Sequence, residues 1–253
     1  MEKSAFFALF REIFQKNGLE RFCTDKIVGQ FHQFTKLFLA ENAKTNLSAI
    51  RTPEEMIAKH YADCLLAEEL LPENASILDV GCGGGFPSVP FAIVRPDLRI
   101  TAIDSTQKKI DFVKSATKAL ALSNLTPICG RIEEKAQKKL LGSFDLVTSR
   151  AVANLQVLAE LTLPFATIGG ALLALKGAKG AEELAAAGPA LAILGGKTEL
   201  DAEKTLFCSR KDEAGAPNGD YLPEARHLLL IRKQKQTPPI YPRAYAAIVK
   251  HPL

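Results

Sequence analysis

The sequence predicts an α/β fold: a mostly parallel seven-stranded sheet with helices on both faces and a helical cap at the N-terminus. Three observations carry that expectation. From residue 77 onward, short apolar runs alternate with helical periodicity, the pattern of parallel strands joined by crossover helices. Ile77-Leu78-Asp79-Val80 leads into Gly81-Cys82-Gly83-Gly84-Gly85, so a strand enters a glycine loop. Residues 1–45 carry phenylalanines at helical spacing.

In chain order, Phe6, Phe10 and Phe14 recur every fourth residue. Ile27, Phe31, Phe34 and Phe38 follow at steps of four, three and four, which is one face of a helix. Such a stripe is expected in the core rather than as a base-stacking platform. Residues 46–52 read as a loop. Thr52-Pro53-Glu54-Glu55 then opens a helix, with Thr as N-cap, Pro at the first position and Glu at the third. That helix places His60 and Asp63 one turn apart on one face and ends at Pro72. Strands are expected at 77–80, 99–104, 126–130, 144–149, 171–175 and 226–232, with another near 204–209. Helices are expected at 87–94, 106–121, 132–141, 154–166 and 181–194. The last two strands lack a helix between them, so they form a hairpin and one runs antiparallel to the rest. Residues 210–224 are polar and turn-rich and read as the loop joining them.

With 253 residues and 47% hydrophobic content, the chain can build one large α/β domain with an appendage and a sizeable core. Cys23, Cys64, Cys82, Cys129 and Cys208 are scattered, odd in number and never spaced C-x-x-C. That argues against a zinc site or a disulfide framework and for a reducing, cytoplasmic setting; no metal is expected. No secretory signal is evident. The longest uncharged apolar stretch, 161–175, is broken by Pro164 and Gly169-Gly170 and is too short to span a bilayer, so no membrane partner is expected. The net charge of +4 is mild. Its distribution is more telling, since Arg226, Arg232, Lys233, Lys235, Arg243 and Lys250 lie beyond residue 225 with no acid among them. Such a tail is either an electrostatic footprint for phosphate or a solubilising terminus.

Ligands of such sheets sit at the carboxyl ends of the strands. The run Arg99-Ile100-Thr101-Ala102-Ile103 ends on Asp104, about 20 residues past the glycine loop, where an acid accepts hydrogen bonds from ribose hydroxyls. The glycine spacing argues against a dinucleotide. The third glycine of G-x-G-x-x-G falls on Phe86 when counted from Gly81 and on Ser88 when counted from Gly83. No G-K-[ST] follows, which excludes a P-loop. The pattern that fits is D-x-G-x-G-x-G, at Asp79, Gly81, Gly83 and Gly85. It resembles the first motif of class I S-adenosylmethionine-dependent methyltransferases. That methyl donor has no pyrophosphate, so a helix-packing third glycine is not needed, and its carboxylate suits a helix N-terminus.

Asp104 is the candidate for ribose, with helix capping as its other role. Ser105 and Thr106 follow it. Ile132 and Glu133 lie where an adenine would lie, an apolar contact beside an acceptor for the exocyclic amine; a solvated first turn is the alternative. Arg150 is a candidate for the methionine carboxylate or a substrate phosphate, against a surface salt bridge. Asn46, His60, Asp63, Arg131 and Lys176 are candidates for positioning the substrate. A His–Asp pair on one helix face is more often a structural hydrogen bond than a catalytic dyad, so no residue is assigned as catalytic.

Together these residues resemble the bacterial 16S ribosomal RNA guanine-N7 methyltransferases of the glucose-inhibited division protein B family. The resemblance runs over residues 42–177, with an echo in Lys250-His251-Pro252-Leu253 at the C-terminus. It rests on Asn46-Leu47-Ser48-Ala49-Ile50, on His60 with Asp63, and on Leu78-Asp79-Val80-Gly81 through Gly85-Phe86-Pro87. It continues in Asp104-Ser105, Arg131-Ile132-Glu133-Glu134, Ser149-Arg150-Ala151 and Leu175-Lys176-Gly177. It implies a cap, 1–72, packed on a Rossmann-like methyltransferase domain, 73–253, that ends in the basic tail. It further implies that Gly81, Phe86, Asp104, Ser105, Thr106, Ile132, Glu133 and Arg150 contact S-adenosylmethionine. The implied substrate is 16S rRNA in the small ribosomal subunit or its precursor, modified in the cytoplasm. Departures are Cys64 for a usual serine, Ser88 for a glycine and Thr106 for a leucine. The glycine that usually follows a stretch like Tyr241-Pro242-Arg243-Ala244-Tyr245 is absent. Guanine N7 has a free lone pair and no proton to lose, so positioning, not a general base, is expected to carry the acceleration. A monomer is expected. The competing readings are a small-molecule methyltransferase and a non-catalytic donor-binding regulator.

Overall fold

The computed structural model describes residues 1–211 and 217–253. Helices α1 (Lys3–Lys16) and α2 (Asp25–Thr45) pack together at the N-terminus. Thr24 starts α2 by accepting from the Ile27 N–H. Phe6, Phe10, Phe14, Phe31, Phe34 and Phe38 are fully buried. Phe10 and Phe14 stack at 3.8 Å between ring centroids. Phe34 and Phe38 reach Phe86 of the glycine loop at 5.6 and 5.4 Å. The stripe is therefore core, and it joins the helices to the sheet in one apolar cluster. Each such ring pair adds roughly 0.5–1.5 kcal/mol beyond its buried area.

The expected helix up to Pro72 is not continuous. After α3 (Pro53–Glu55), the chain winds as a π-helix over Met56–Ala62, continues as α4 (Asp63–Leu65) and closes in a 3₁₀ turn at Glu68–Leu70. Met56, Ile57, Ala58, His60, Tyr61, Ala62, Cys64 and Leu65 are all buried, more than one α-helical face can turn inward. The wider winding accommodates them.

The sheet is assembled from β1 (Ser76–Val80), α5 (Ser88–Val94), β2 (Arg99–Asp104), α6 (Gln107–Ala119), β3 (Leu125–Cys129), β4 (Phe144–Arg150), α7 (Leu155–Thr162) and β5 (Ala166–Lys176). It is completed by α8 (Gly180–Ala186), α9 (Gly188–Leu194), β6 (Gly196–Lys211) and β7 (Pro217–Lys233), with α10 (Tyr245–Lys250) following. The strand order is β3-β2-β1-β4-β5-β7-β6. Strands β1 to β5 are parallel, and β7 runs antiparallel between β5 and β6. The order reverses between β1 and β4, which opens a crevice above their carboxyl ends.

Several boundaries differ from the sequence expectation. The segment expected as a helix at 132–141 forms only a 3₁₀ turn, Lys135–Leu140, in which Gln137 alone is buried. Ile132 and Leu140 still reach a core cluster from this irregular winding, without a helix between them. The helix expected at 154–166 stops at Thr162, and a 3₁₀ turn containing Pro164 follows. The helix expected at 181–194 splits at Ala187, ahead of Gly188-Pro189. The hairpin arms reach further than expected, taking in 210–211 and 217–224; residues 212–216 of the expected loop lie outside the described residues. Contacts with α1 hold these arms. Asn17 receives the Phe207 N–H at 2.8 Å and donates to the Phe207 carbonyl at 3.2 Å, and the Tyr221 hydroxyl donates to Glu12 at 2.9 Å.

The basic tail is largely neutralised from within. Arg226 binds Asp63 and Glu224, Arg232 binds Glu199, and Arg243 binds Glu160. Lys233 is buried and donates to the Pro164 and Ala166 carbonyls. Of the six cations, only Lys235 and Lys250 are exposed, so the tail is not a continuous phosphate footprint.

Candidate active site

The loop after β1 folds back on itself and on β2. The N–H groups of Gly81 and Cys82 donate to the Ile103 carbonyl at 2.8 and 3.1 Å, and those of Gly85 and Phe86 donate to the Cys82 carbonyl. Gly81, Gly83 and Gly85 have φ of +75°, +57° and +95°, a region that favours glycine. Their roles differ. A Cβ on Gly81 would lie 2.4 Å from Val152, and one on Gly85 2.6 Å from Val89. A Cβ on Gly83 would meet nothing within 4 Å. Gly81 and Gly85 thus permit close packing, whereas Gly83 leaves space open. Gly84, which also lines the cavity, makes room for Phe38.

A cavity of about 510 Å³ lies over the ends of β1, β2 and β4. Gly81, Gly83, Phe86, Asp104, Ser105, Thr106, Ile132, Glu133 and Arg150 all line it, with Arg131 and His60; Gly85 does not. The Asp104 carboxylate accepts from the Gly83 N–H at 3.0 Å through one oxygen and from the Thr106 N–H at 2.8 Å through the other. Each oxygen keeps a second lone pair for a ligand; α6 begins after Thr106 with no side-chain cap bond, so Asp104 braces the entry to that helix without capping it. Ile132 is buried, and the Glu133 side chain is nearly so. Arg131 is half-exposed and lies over the Tyr245 ring at 5.6 Å.

Arg150 stands at the end of β4, and its salt bridge is internal, not superficial. One guanidinium nitrogen donates to the Lys59 carbonyl at 3.0 Å and to Asp63 at 2.8 Å, and the other donates to His60 Nδ1 at 2.8 Å. Three of its five N–H groups are used. His60 therefore accepts at Nδ1 and carries its proton on Nε2, which lies 3.1 Å from Ser48 Oγ. Its ring stacks on Phe86 at 4.1 Å. Burial, together with the Arg150 charge, pushes the His60 pKa down to about 3, so the imidazole is neutral and both its nitrogens are engaged. His60 and Asp63 do share a face, but Arg150 stands between them and no direct dyad forms. Asp63 also accepts from Arg226 at 2.6 Å. Beneath the loop, Asp79 is fully buried and accepts from the Ser88 N–H at 3.1 Å. Burial raises its pKa to about 7, against the lowering effect of Ser88 and Arg150.

A second cavity, about 420 Å³, adjoins the first and shares Arg150, Ala151 and Val152 with it. Lys176 lies here at the end of β5, buried, donating to the Ala153 carbonyl and paired with Glu183 at 2.7 Å. Asn46 lines neither cavity. It ends α2 in the left-handed region at φ +53° and accepts from Arg51 at 3.1 Å. The sequence reading assigned no role to Ser48, Glu183 or Tyr245. Ser48 lies within the Asn46-Leu47-Ser48 stretch and Tyr245 within Tyr241-Pro242-Arg243-Ala244-Tyr245; Glu183 carries no local signal.

A family model described as rRNA small subunit methyltransferase G matches residues 27–206. The ribosomal RNA small subunit methyltransferase G of Lactococcus lactis is 41% identical over 234 residues, covering 91% of this chain and 92% of the relative. That of Streptococcus gordonii is 38% identical over 248 residues, covering 96% and 98%. Among solved structures, a SAM dependent methyltransferase from Aquifex aeolicus aligns with a TM-score of 0.50 at 16% identity, over 79% of this chain and 97% of its own. Precorrin-6y C5,15-methyltransferase from Geobacter metallireducens aligns with a TM-score of 0.50 at 15% identity, over 75% and 92%. These two show the class I methyltransferase fold. Sequence identity and coverage say more: the chain belongs to the rRNA small subunit methyltransferase G family.

Proposed function

We propose that this protein transfers the methyl group of S-adenosylmethionine to N7 of a guanine in 16S ribosomal RNA, in the small subunit or its precursor. The observation that carries this reading is the junction of two cavities at Arg150, one with a nucleoside-binding donor set and one beside it for an acceptor. The first cavity's residues fit the methyl donor. Open space over Gly83 admits its backbone contacts, Asp104 has lone pairs left for the ribose hydroxyls, and Ile132 with Glu133 suits adenine. When bound, the donor supplies a sulfonium methyl: the S–C bond breaks as the N7–C bond forms, a thioether leaves, and the positive charge passes to the base.

Each side chain then has a positioning task. Asp104 fixes the sugar, with Ser105 and Thr106 beside it. Gly81 and Phe86 form the floor under the donor's amino-acid end, and the two unused N–H groups of Arg150 hold its carboxylate. Arg131, at the rim, meets RNA phosphate. His60 is neutral and doubly bonded, so it orients Arg150 and does not act as a base; N7 methylation requires none. Residues 1–72 serve as a cap that brings Ser48 and His60 to the catalytic domain, 73–253, and Asn46 holds the end of α2 in place. Among the described residues no helix is long and apolar enough to cross a membrane; a cytoplasmic setting and a monomeric state are part of the proposal.

The test has two steps. Calorimetric titration with S-adenosylmethionine is expected to give saturable binding that Asp104→Ala abolishes. Radiolabelled donor incubated with ribosomal particles from cells lacking the enzyme is expected to label a guanine N7 of the small-subunit RNA. Absence of binding heat, or transfer only to free metabolites, would overturn the reading.

A further inference from the structure

We propose that Lys176 and Glu183 form the pair that recognises the acceptor base as guanine; this rests on the guanine-N7 reading above. The second cavity opens beyond the Arg150–Val152 wall and contains three cations and two acids. Most of their capacity is spent. Both oxygens of Asp63 are taken, one by Arg150 and one by Arg226. Glu183 differs: one oxygen, Oε2, takes both the Leu155 N–H at 2.9 Å and Lys176 at 2.7 Å, while Oε1 accepts from no described residue. Lys176 donates one hydrogen bond, to the Ala153 carbonyl, and is ion-paired with Glu183 at 2.7 Å, so N–H capacity remains on its ammonium. One spare donor and one spare acceptor therefore lie side by side in a cavity next to the donor site.

Guanine presents the complement of that pair. Along the edge of the base, N7 is followed by O6, an acceptor, and then by N1–H, a donor. With N7 turned toward the shared wall, O6 comes next and N1–H lies beyond. Lys176 is bonded to Ala153, one residue past the wall, and Glu183 to Leu155, three residues past it. The order of donor and acceptor matches. Adenine in the same pose would aim its amino group at an ammonium and a bare N1 at a carboxylate, two donors and two acceptors face to face. Pyrimidines have no N7. Placing the charges as a bonded pair also leaves neither desolvated alone when the cavity is empty.

The bland role of the pair is to pin the turn after β4 through Ala153 and Leu155, and the test separates the two. Single-turnover methylation is measured on an rRNA fragment carrying, at the position mapped for the wild type, either guanine or 2-aminopurine, which keeps N7 but lacks O6 and N1–H. Full-length wild type, Glu183→Ala and Lys176→Met are compared, with donor affinity by calorimetry as the control for an intact fold. The expected result is a loss of about 10-fold or more on guanine in both variants, with 2-aminopurine changing less than about twofold, so that discrimination collapses. Equal losses on both substrates, or no loss on either, would overturn this assignment while leaving the methyltransferase reading intact. A wild-type label on an atom other than guanine N7 would overturn that reading and this assignment together.

Discussion

Arg150 donates to His60 Nδ1 across 2.8 Å, and that bond holds the imidazole in its neutral form with the proton on Nε2. In an unfolded chain a histidine titrates near 6.5; here burial and the neighbouring guanidinium lower it to about 3. Between those values the unfolded chain binds more protons, so this residue makes stability rise with pH up to about 6.5 and stay level above it. His60→Phe is expected to remove that slope. It should also cost on the order of 1–3 kcal/mol at neutral pH, because Arg150 loses an acceptor. Urea unfolding at pH 5 and pH 7.5 reads both; an unchanged slope would contradict the arrangement.

Asp79 acts with the opposite sign. Its folded pKa is raised from 3.8 to about 7, so the folded chain holds the extra proton. The contribution is fully present below about pH 4 and is lost as pH rises through 7. Asp79→Asn is expected to remove this loss and stabilise the protein at pH 8 relative to wild type, by an amount on the order of a few kcal/mol. The wild-type minus variant difference, followed from pH 4 to pH 8, isolates this residue from His60.

The glycine loop predicts two unlike alanine variants. Gly83→Ala meets only open space but must adopt a left-handed conformation, at about 1 kcal/mol. It should fold, melt a few degrees lower and lose at least about tenfold in donor affinity, because the new methyl group occupies the ligand's place. Gly81→Ala instead strikes Val152 and should unfold more readily. Thermal melting paired with calorimetry distinguishes them. Unimpaired donor binding by Gly83→Ala would mean that the ligand lies elsewhere.

Arg243 predicts a fold defect rather than an RNA-binding defect. Glu160 is completely buried and accepts from the Arg243 backbone N–H at 2.9 Å and from its guanidinium at 2.8 and 2.6 Å. Arg243→Ala strands that carboxylate, which should cost roughly 3 kcal/mol. Filter binding of rRNA at several salt concentrations should keep its slope, since no phosphate contact is removed. A slope smaller by about one unit would place Arg243 on the RNA.

What could be read from the sequence, and what could not, follows the range of the interactions. The glycines, Asp104 and the alternating runs are local patterns, and β1 to β4 fall close to their expected places, whereas β5, β6 and β7 start well before theirs. The phenylalanine stripe is local too, though Val28 rather than Ile27 takes its fully buried place. Partners distant in sequence were invisible. His60 and Asp63 were legible as neighbours, but Arg150, nearly 90 residues on, decides what each does. The tail cations looked free because Glu160, Glu199 and Asp63 come from elsewhere in the chain. Glu183 was unremarkable in sequence until α8 brought it beside Lys176. The π-helical winding at Met56–Ala62 answers to burial on several sides, which no periodicity encodes.

Ala151 has φ +57° in the turn that separates the two cavities, a conformation an alanine holds only when its surroundings impose it. A single partition thus serves two tenants. Any displacement of it by one occupant changes the room left for the other, and linkage makes the effect equal in both directions. On the proposed function, methylated product and spent donor would not leave as strangers: the departure of either would reset the affinity for its neighbour.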